Sequence, residues 1–228
     1  MTPTLRVGLM VPANNTTMAR ELPQWLPGYA TVTTVRIPRG VDLLTRDTLP
    51  AYRDAALELA RAFAKDSVDC VAYGCTAAGF LGGPAADREL AADLMRVTGK
   101  PVVTTAGAMV AVLRGERLAR IAVITPYGRE VNTQLRAFLA DGGIGVGTLA
   151  TLDAADVDAL GRLTSADVLA LARTALDPSC DGMFIACSQL PTADAIGQLE
   201  QQWGKPVWSS IRATARQLVR HHEARTAA

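Results

Sequence analysis

Short apolar runs alternate with longer stretches of helical spacing along the whole chain. Residues 5–11, 30–37, 68–73 and 102–105 are apolar or β-branched runs and read as strands. Between and after them, helical apolar spacing covers 51–64, 86–97 and 106–113. Residues 12–17 read as a turn into a helix, with Asn15 or Thr16 as N-cap, and 79–84 as a Gly-rich loop. The second half repeats the alternation. Strands are expected at 118–125, 145–149, 182–186 and 207–208, and helices at 130–139, 165–176, 192–203 and 211–221, with Ser165 as an N-cap. Strands alternating with helices predict an α/β fold with parallel sheets and right-handed crossovers.

Three landmarks recur in the same order at nearly the same shift. Leu9-Met-Val-Pro12 matches Val123-Ile-Thr-Pro126, and Val71-Ala-Tyr-Gly-Cys75-Thr76 matches Met183-Phe-Ile-Ala-Cys187-Ser188. Gly99-Lys-Pro-Val matches Gly204-Lys-Pro-Val. The chain therefore reads as two α/β halves built alike. We place an N-terminal domain at 1–114 and a C-terminal one at 115–210, with the terminal helix, 211–228, packing back on the first.

Charged residues make up 20% of the chain and the net charge is +1, which gives no basic footprint for nucleic acid. Aromatics at 5% are too sparse for base-stacking platforms. No apolar run reaches the roughly 18 residues of a membrane span, and the start lacks a signal-peptide core. The expected location is the cytoplasm. A disulfide framework is not expected among the four cysteines there. Cys70 and Cys180 stand at strand entrances and read as packed residues. His221 and His222 are the only histidines and lie near the end, so the body of the chain holds no Ser-His-Asp triad, Cys-His pair or histidine metal site. Gly142 to Gly147 has the wrong spacing for a dinucleotide fingerprint and reads as a helix stop.

Cys75 and Cys187 follow their runs at the carboxyl ends of parallel strands, beyond which ligands bind in open α/β sheets. Four post-strand segments meet there and supply two thiols, hydroxyls from Thr16, Thr17, Thr76, Tyr127 and Ser188, and amides from Asn14, Asn15 and Gln189. Helix N-termini add backbone N–H groups, so the pocket suits a carboxylate and an enolate-like anion, and should draw the thiol pKa values down. A lone cysteine after an apolar run is more often a packed residue. Two at equivalent places, each followed by Thr or Ser, favour chemistry. The Asn14-Asn15-Thr-Thr run also reads as a simple cap. Arg36 and Arg39 could reach a carboxylate, with solvated surface as the default.

The run Val11-Pro-Ala-Asn-Asn-Thr-Thr-Met18, with Tyr73-Gly-Cys75, Pro126-Tyr127 and Cys187-Ser-Gln-Leu-Pro191, resembles the aspartate/glutamate racemase superfamily, nearest its maleate cis–trans isomerases. The second half is also similar to arylmalonate decarboxylases, through Val131-Asn132, Phe138-Leu, Asp181-Gly182 and residues 207–210. That resemblance implies two Rossmann-like domains about a pseudo-twofold axis, no metal and no organic cofactor. It implies Cys75 as nucleophile or base and Cys187 as partner acid/base. Asn15 and Tyr127 would hold substrate carboxylates, with Asn14 and Asn132 in support. The Thr76 hydroxyl and the backbone near Thr76 and Ser188 would stabilise an enediolate. Unlike the amino-acid racemases, Thr76-Ala and Ser188-Gln follow the cysteines. The second-half asparagine of the maleate isomerases has no counterpart near Asp156-Val157. The expected function is a cofactor-independent isomerase of a small mono- or dicarboxylate, by maleate-type addition or two-base racemisation. The alternative is an arylmalonate-type decarboxylase with Cys187 as proton donor. A carboxylate-binding protein without chemistry is a third reading, disfavoured by the two thiols. Leu- and Ala-rich helix faces leave room for a homo-oligomer.

Overall fold

A computed structural model describes residues 4–40 and 42–226. The first half runs β1 (Leu5–Pro12), α1 (Thr17–Trp25), β2 (Ala30–Ile37), α2 (Leu49–Ala60), α3 (Ala62–Lys65), β3 (Cys70–Tyr73), α4 (Thr76–Phe80), α5 (Gly83–Thr98), β4 (Val102–Thr104) and α6 (Thr105–Gly115). The second runs β5 (Arg120–Thr125), α7 (Arg129–Asp141), β6 (Gly145–Thr151), α8 (Val157–Arg162), α9 (Ser165–Thr174), β7 (Gly182–Ile185), α10 (Ala193–Trp203), β8 (Val207–Ser209) and α11 (Ser210–Thr226).

Each half folds into a four-stranded parallel sheet, ordered β2-β1-β3-β4 in one and β6-β5-β7-β8 in the other. The inner strands β3 and β7 are buried along their whole length, which is why they read as unbroken apolar runs. The outer strands β2 and β6 are only partly covered and carry more polar residues. The repeated Gly-Lys-Pro segment has one structural job in both halves. Gly99 and Gly204 end their helices at φ 67° and 68°, a left-handed turn that glycine adopts without strain. The proline carbonyls two residues on then accept the N–H of Val71 and Met183, which starts β4 and β8 in register. Helices α6 and α11 follow β4 and β8, and α11 packs on α6 and α1. The Thr214 hydroxyl donates to Thr105 Oγ across that contact, at 3.2 Å.

Several local expectations need correction. Residues 79–84 are not a loop: Gly79 lies in α4 and Gly83 opens α5. A Cβ on Gly79 would stand 2.5 Å from that of Ala106, so this glycine serves close helix packing rather than a turn. The five-residue α4 and six-residue α8 are too short for their periodicity to register. Asn15 caps α1, its side-chain oxygen accepting the Met18 N–H at 3.0 Å, while Thr16 makes no cap bond. Thr164, not Ser165, caps α9, in a capping box with Asp167.

Candidate active site

The carboxyl ends of β1, β3, β5 and β7 open on one cleft between the sheets, of about 550 Å³ counting its mouth. Cys75 and Cys187 line it together with Asn14, Asn15, Thr76, Tyr127, Ser188 and Gln189. Eight of the eleven expected side chains therefore meet there; Thr16 and Thr17, at the start of α1, do not. Nor does Asn132. Its amide donates to the Tyr127 carbonyl at 2.6 Å, and its oxygen accepts from the Thr125 hydroxyl at 2.7 Å. The Thr151 hydroxyl binds the same Tyr127 carbonyl at 2.6 Å. Asn132 thus positions the Tyr127 segment from behind.

The cleft is laced shut at its base by hydroxyl groups that cross from one half to the other. Asn15 donates to Ser188 Oγ at 2.9 Å, and that hydroxyl donates on to the Gly74 carbonyl at 2.7 Å. The Thr76 hydroxyl donates to Ser210 Oγ at 3.0 Å, and the same oxygen accepts the Cys187 N–H at 3.0 Å. Glu21 adds a buried clasp, its carboxylate accepting the Thr192 and Ala193 N–H groups at the start of α10. These bonds correct part of the expected assignment: the Thr76 and Ser188 protons are engaged in this seam. What each loop still offers a ligand is the backbone at its helix start and the second amide hydrogen of Asn15.

Both thiols are free and buried. Burial pushes both thiol pKa values up, Cys187 to about 11. This reverses the expected lowering, because the desolvation outweighs the helix-start donors. Those donors are real: the Ala77 and Ala78 N–H groups face Cys75 Sγ, and the Gln189 N–H reaches Cys187 Sγ at 3.4 Å. Cys187 also takes φ 151°, a conformation rare for a residue with a Cβ. The Tyr127 ring packs edge-on to Phe80 at 5.6 Å, and its hydroxyl lies beside Cys75, Thr76 and Cys187. That oxygen is buried without a protein hydrogen bond, as are Asn14 Oδ1, Gln189 Oε1 and Arg39 Nε. Four such atoms around one cleft mark where a polar ligand belongs.

Sequence reasoning missed Tyr52 and Leu160, and held Arg39 only as a second choice to solvated surface. Arg39 lines the cleft and its guanidinium favours a negative Cys75, whereas Arg36 is occupied with the Ala13 and Asn15 carbonyls at 3.1 and 3.0 Å. Tyr52 lies behind Cys75, where its hydroxyl lowers the cost of a thiolate. Leu160 of α8, with Leu43, Leu44 and Val131, forms the apolar wall. The solvated-surface default hid Arg39, and a short helix hid Leu160. Among the described residues no three His, Cys, Asp or Glu side chains cluster as metal ligands, and no helix is long and apolar enough to cross a membrane.

Comparison with known proteins gives the same family from sequence and structure. A family model described as arylmalonate decarboxylase matches residues 7–228. Arylmalonate decarboxylase of Bordetella bronchiseptica is 29% identical over 206 residues, 90% of this chain and 82% of the relative. Maleate isomerase of Nocardia farcinica is 28% identical over 232 residues, 94% of this chain and 89% of the relative. A solved structure of the Nocardia farcinica maleate cis-trans isomerase, a cysteine-to-serine variant with a covalently bound succinylcysteine intermediate, superposes with a TM-score of 0.89. It is 26% identical and covers 97% of this chain and 94% of that one.

Proposed function

The chain belongs to the arylmalonate decarboxylase family, and from that premise we propose that it isomerises a small cis-enedioate of the maleate type through two cysteines. The observation that carries this reading is the pair of buried thiols, at equivalent strand ends, facing one cleft. The relatives named as maleate isomerases, and the succinylcysteine carried by one of them, support the same chemistry.

In the proposed cycle Cys75 gives its proton to solvent and attacks C2 of the enedioate as a thiolate. The S–C2 bond forms, and the alkene pair moves onto C3 and its carboxylate as an enediolate. Tyr127 Oη–H and the N–H groups at the start of α4 and after Cys187 stabilise that charge. The Cys187 thiol protonates C3, giving a succinyl thioether. C2–C3 is now a single bond and rotates. The Cys187 thiolate takes the C3 proton back, the double bond reforms in the trans geometry, and the S–C2 pair leaves with Cys75. A Cys187 thiol held near pKa 11 suits the acid role, since it arrives protonated at neutral pH.

The apolar wall of Leu43, Leu44, Val131 and Leu160 supports a second reading. There the wall would destabilise one carboxylate of an activated malonate, CO₂ would leave, and Cys187 would protonate the enediolate.

Proton NMR in D₂O with maleate or an arylmalonate separates the two. Fumarate formation that vanishes in Cys75→Ser supports the isomerase. Loss of CO₂ that survives in Cys75→Ser overturns it in favour of the decarboxylase.

A further inference from the structure

Arg39 carries a buried Nε–H with no hydrogen-bond partner. Its Nη2 is held on the Asp42 carbonyl at 2.5 Å, which fixes the fork but leaves the charge unbalanced. Among the described residues, no carboxylate lies within ion-pairing distance of it. Among the described residues that line the cleft, Arg39 alone carries a formal charge. Its neighbours on that wall are Leu43 and Leu44, which cannot offset it. Arg39 is half-buried, so solvent carries part of that charge, but its buried Nε–H still lacks the acceptor that a ligand oxygen would supply. The cleft's own ionisable groups, the Cys75 and Cys187 thiols and the Tyr127 hydroxyl, are all held toward their neutral forms by burial and do not supply an anion.

We infer that Arg39 is the specificity-determining residue for the substrate's second carboxylate. The inference deepens the isomerase reading and rests on it only for the substrate's name. A guanidinium fork matches a carboxylate in geometry as well as charge. It would also hold that carboxylate in place rather than favour its loss as CO₂, which sets this cleft against a decarboxylase's. One group is bound on the Tyr127 and helix-start side, and the other on Arg39, so the cleft selects dianions.

The test is calorimetric binding of succinate and butyrate, a four-carbon pair that differs by one carboxylate and has no alkene to react. Wild type should prefer succinate. Arg39→Gln should lower succinate affinity about 10- to 100-fold, while leaving butyrate unchanged. Arg39→Lys should fall between, keeping the charge but not the fork. Equal binding of the two acids by wild type, or a succinate preference that survives in Arg39→Gln, overturns the inference. Thermal unfolding checks that the variants fold; Arg39→Lys, which keeps the charge and nearly the size, carries the test if Arg39→Gln does not fold, and a succinate affinity in it equal to wild type also overturns the inference. Maleate turnover by wild type is followed in parallel. Turnover without an Arg39-dependent preference sinks the inference and spares the isomerase. An Arg39-dependent preference without turnover does the reverse.

Discussion

Cys75 leaves β3 in ordinary extended backbone, φ −122° and ψ 102°, whereas Cys187 leaves β7 at φ 151°. Around Cys75 stand Arg39 and Tyr52, both of which favour its anion. Around Cys187 stand Tyr127 and backbone N–H groups, with no cation, and the nearby Cys75 disfavours its ionisation. The strand before each also differs: Tyr73-Gly74 in the first half stands where Ile185-Ala186 stands in the second. Below them, the buried Asp87 accepts from Thr104 at 2.8 Å, while the matching pair in the second half is Thr192 and Ser209 at 3.1 Å. Duplication has kept the placement of the sulfur and changed what surrounds it. A cation-assisted thiol is suited to attack carbon, and an unassisted one to hold and return a proton.

The comparison can be broken most sharply at Cys75. Cys75→Ser should lose isomerisation by about three orders of magnitude or more, with a normal unfolding curve, because a hydroxyl is a far poorer nucleophile for an activated alkene. Turnover near wild type, followed as fumarate formation, would move the nucleophile elsewhere.

The next effect lies in the carboxylate that only one half carries. Burial raises the Asp87 pKa to about 6 from 3.8, with Oδ1 lacking a partner. Its folded pKa exceeds its unfolded one, so its contribution is fully present below 3.8 and is lost as pH rises through 6. Wild type measured against Asp87→Asn by urea unfolding should lose about 2 kcal/mol between pH 4 and 7. A constant difference across that window would show that Asp87 is not desolvated as described.

Gly74 and Ala186 occupy the same position in the two repeats. A Cβ on Gly74 would lie 2.7 Å from Met18 Sδ and 2.9 Å from the Met10 carbonyl oxygen. Gly74→Ala should therefore cost about 2 kcal/mol, and Ala186→Gly about 1 kcal/mol, in denaturant unfolding. Equal costs would mean that β1 and α1 give way at Gly74. Last, Tyr127→Phe removes the hydroxyl that lies beside both sulfurs. It should slow turnover about 10-fold, and an unchanged kcat/KM would remove the hydroxyl from the reaction.

The sheets and both cysteines were legible because buried parallel strands are long apolar runs and the duplication aligned their ends. The seam was not. Asn15 looked like either a cap or a ligand contact and is first a cap, bonded to Met18 and across to Ser188. Thr76 and Ser188 sit at the expected places, but their hydroxyls turn to partners 134 and 114 residues away, which no local pattern encodes. Asn132 stands on the right helix but bonds to Thr125 and the Tyr127 carbonyl, while its neighbour Val131 lines the cleft. Arg39 was read as surface because a lone arginine after a strand is solvated by default and nothing local ties it to Cys75. Only the fold places it beside Cys75.

The most direct test of the division of labour is intact-protein mass spectrometry of Cys187→Ser and Cys75→Ser after mixing with maleate. If Cys75 attacks carbon and Cys187 handles the proton, Cys187→Ser should gain the mass of one substrate, on Cys75, and Cys75→Ser should stay at its own mass. An adduct on Cys187 in the Cys75→Ser protein, with none in Cys187→Ser, would contradict the account and reverse the two roles.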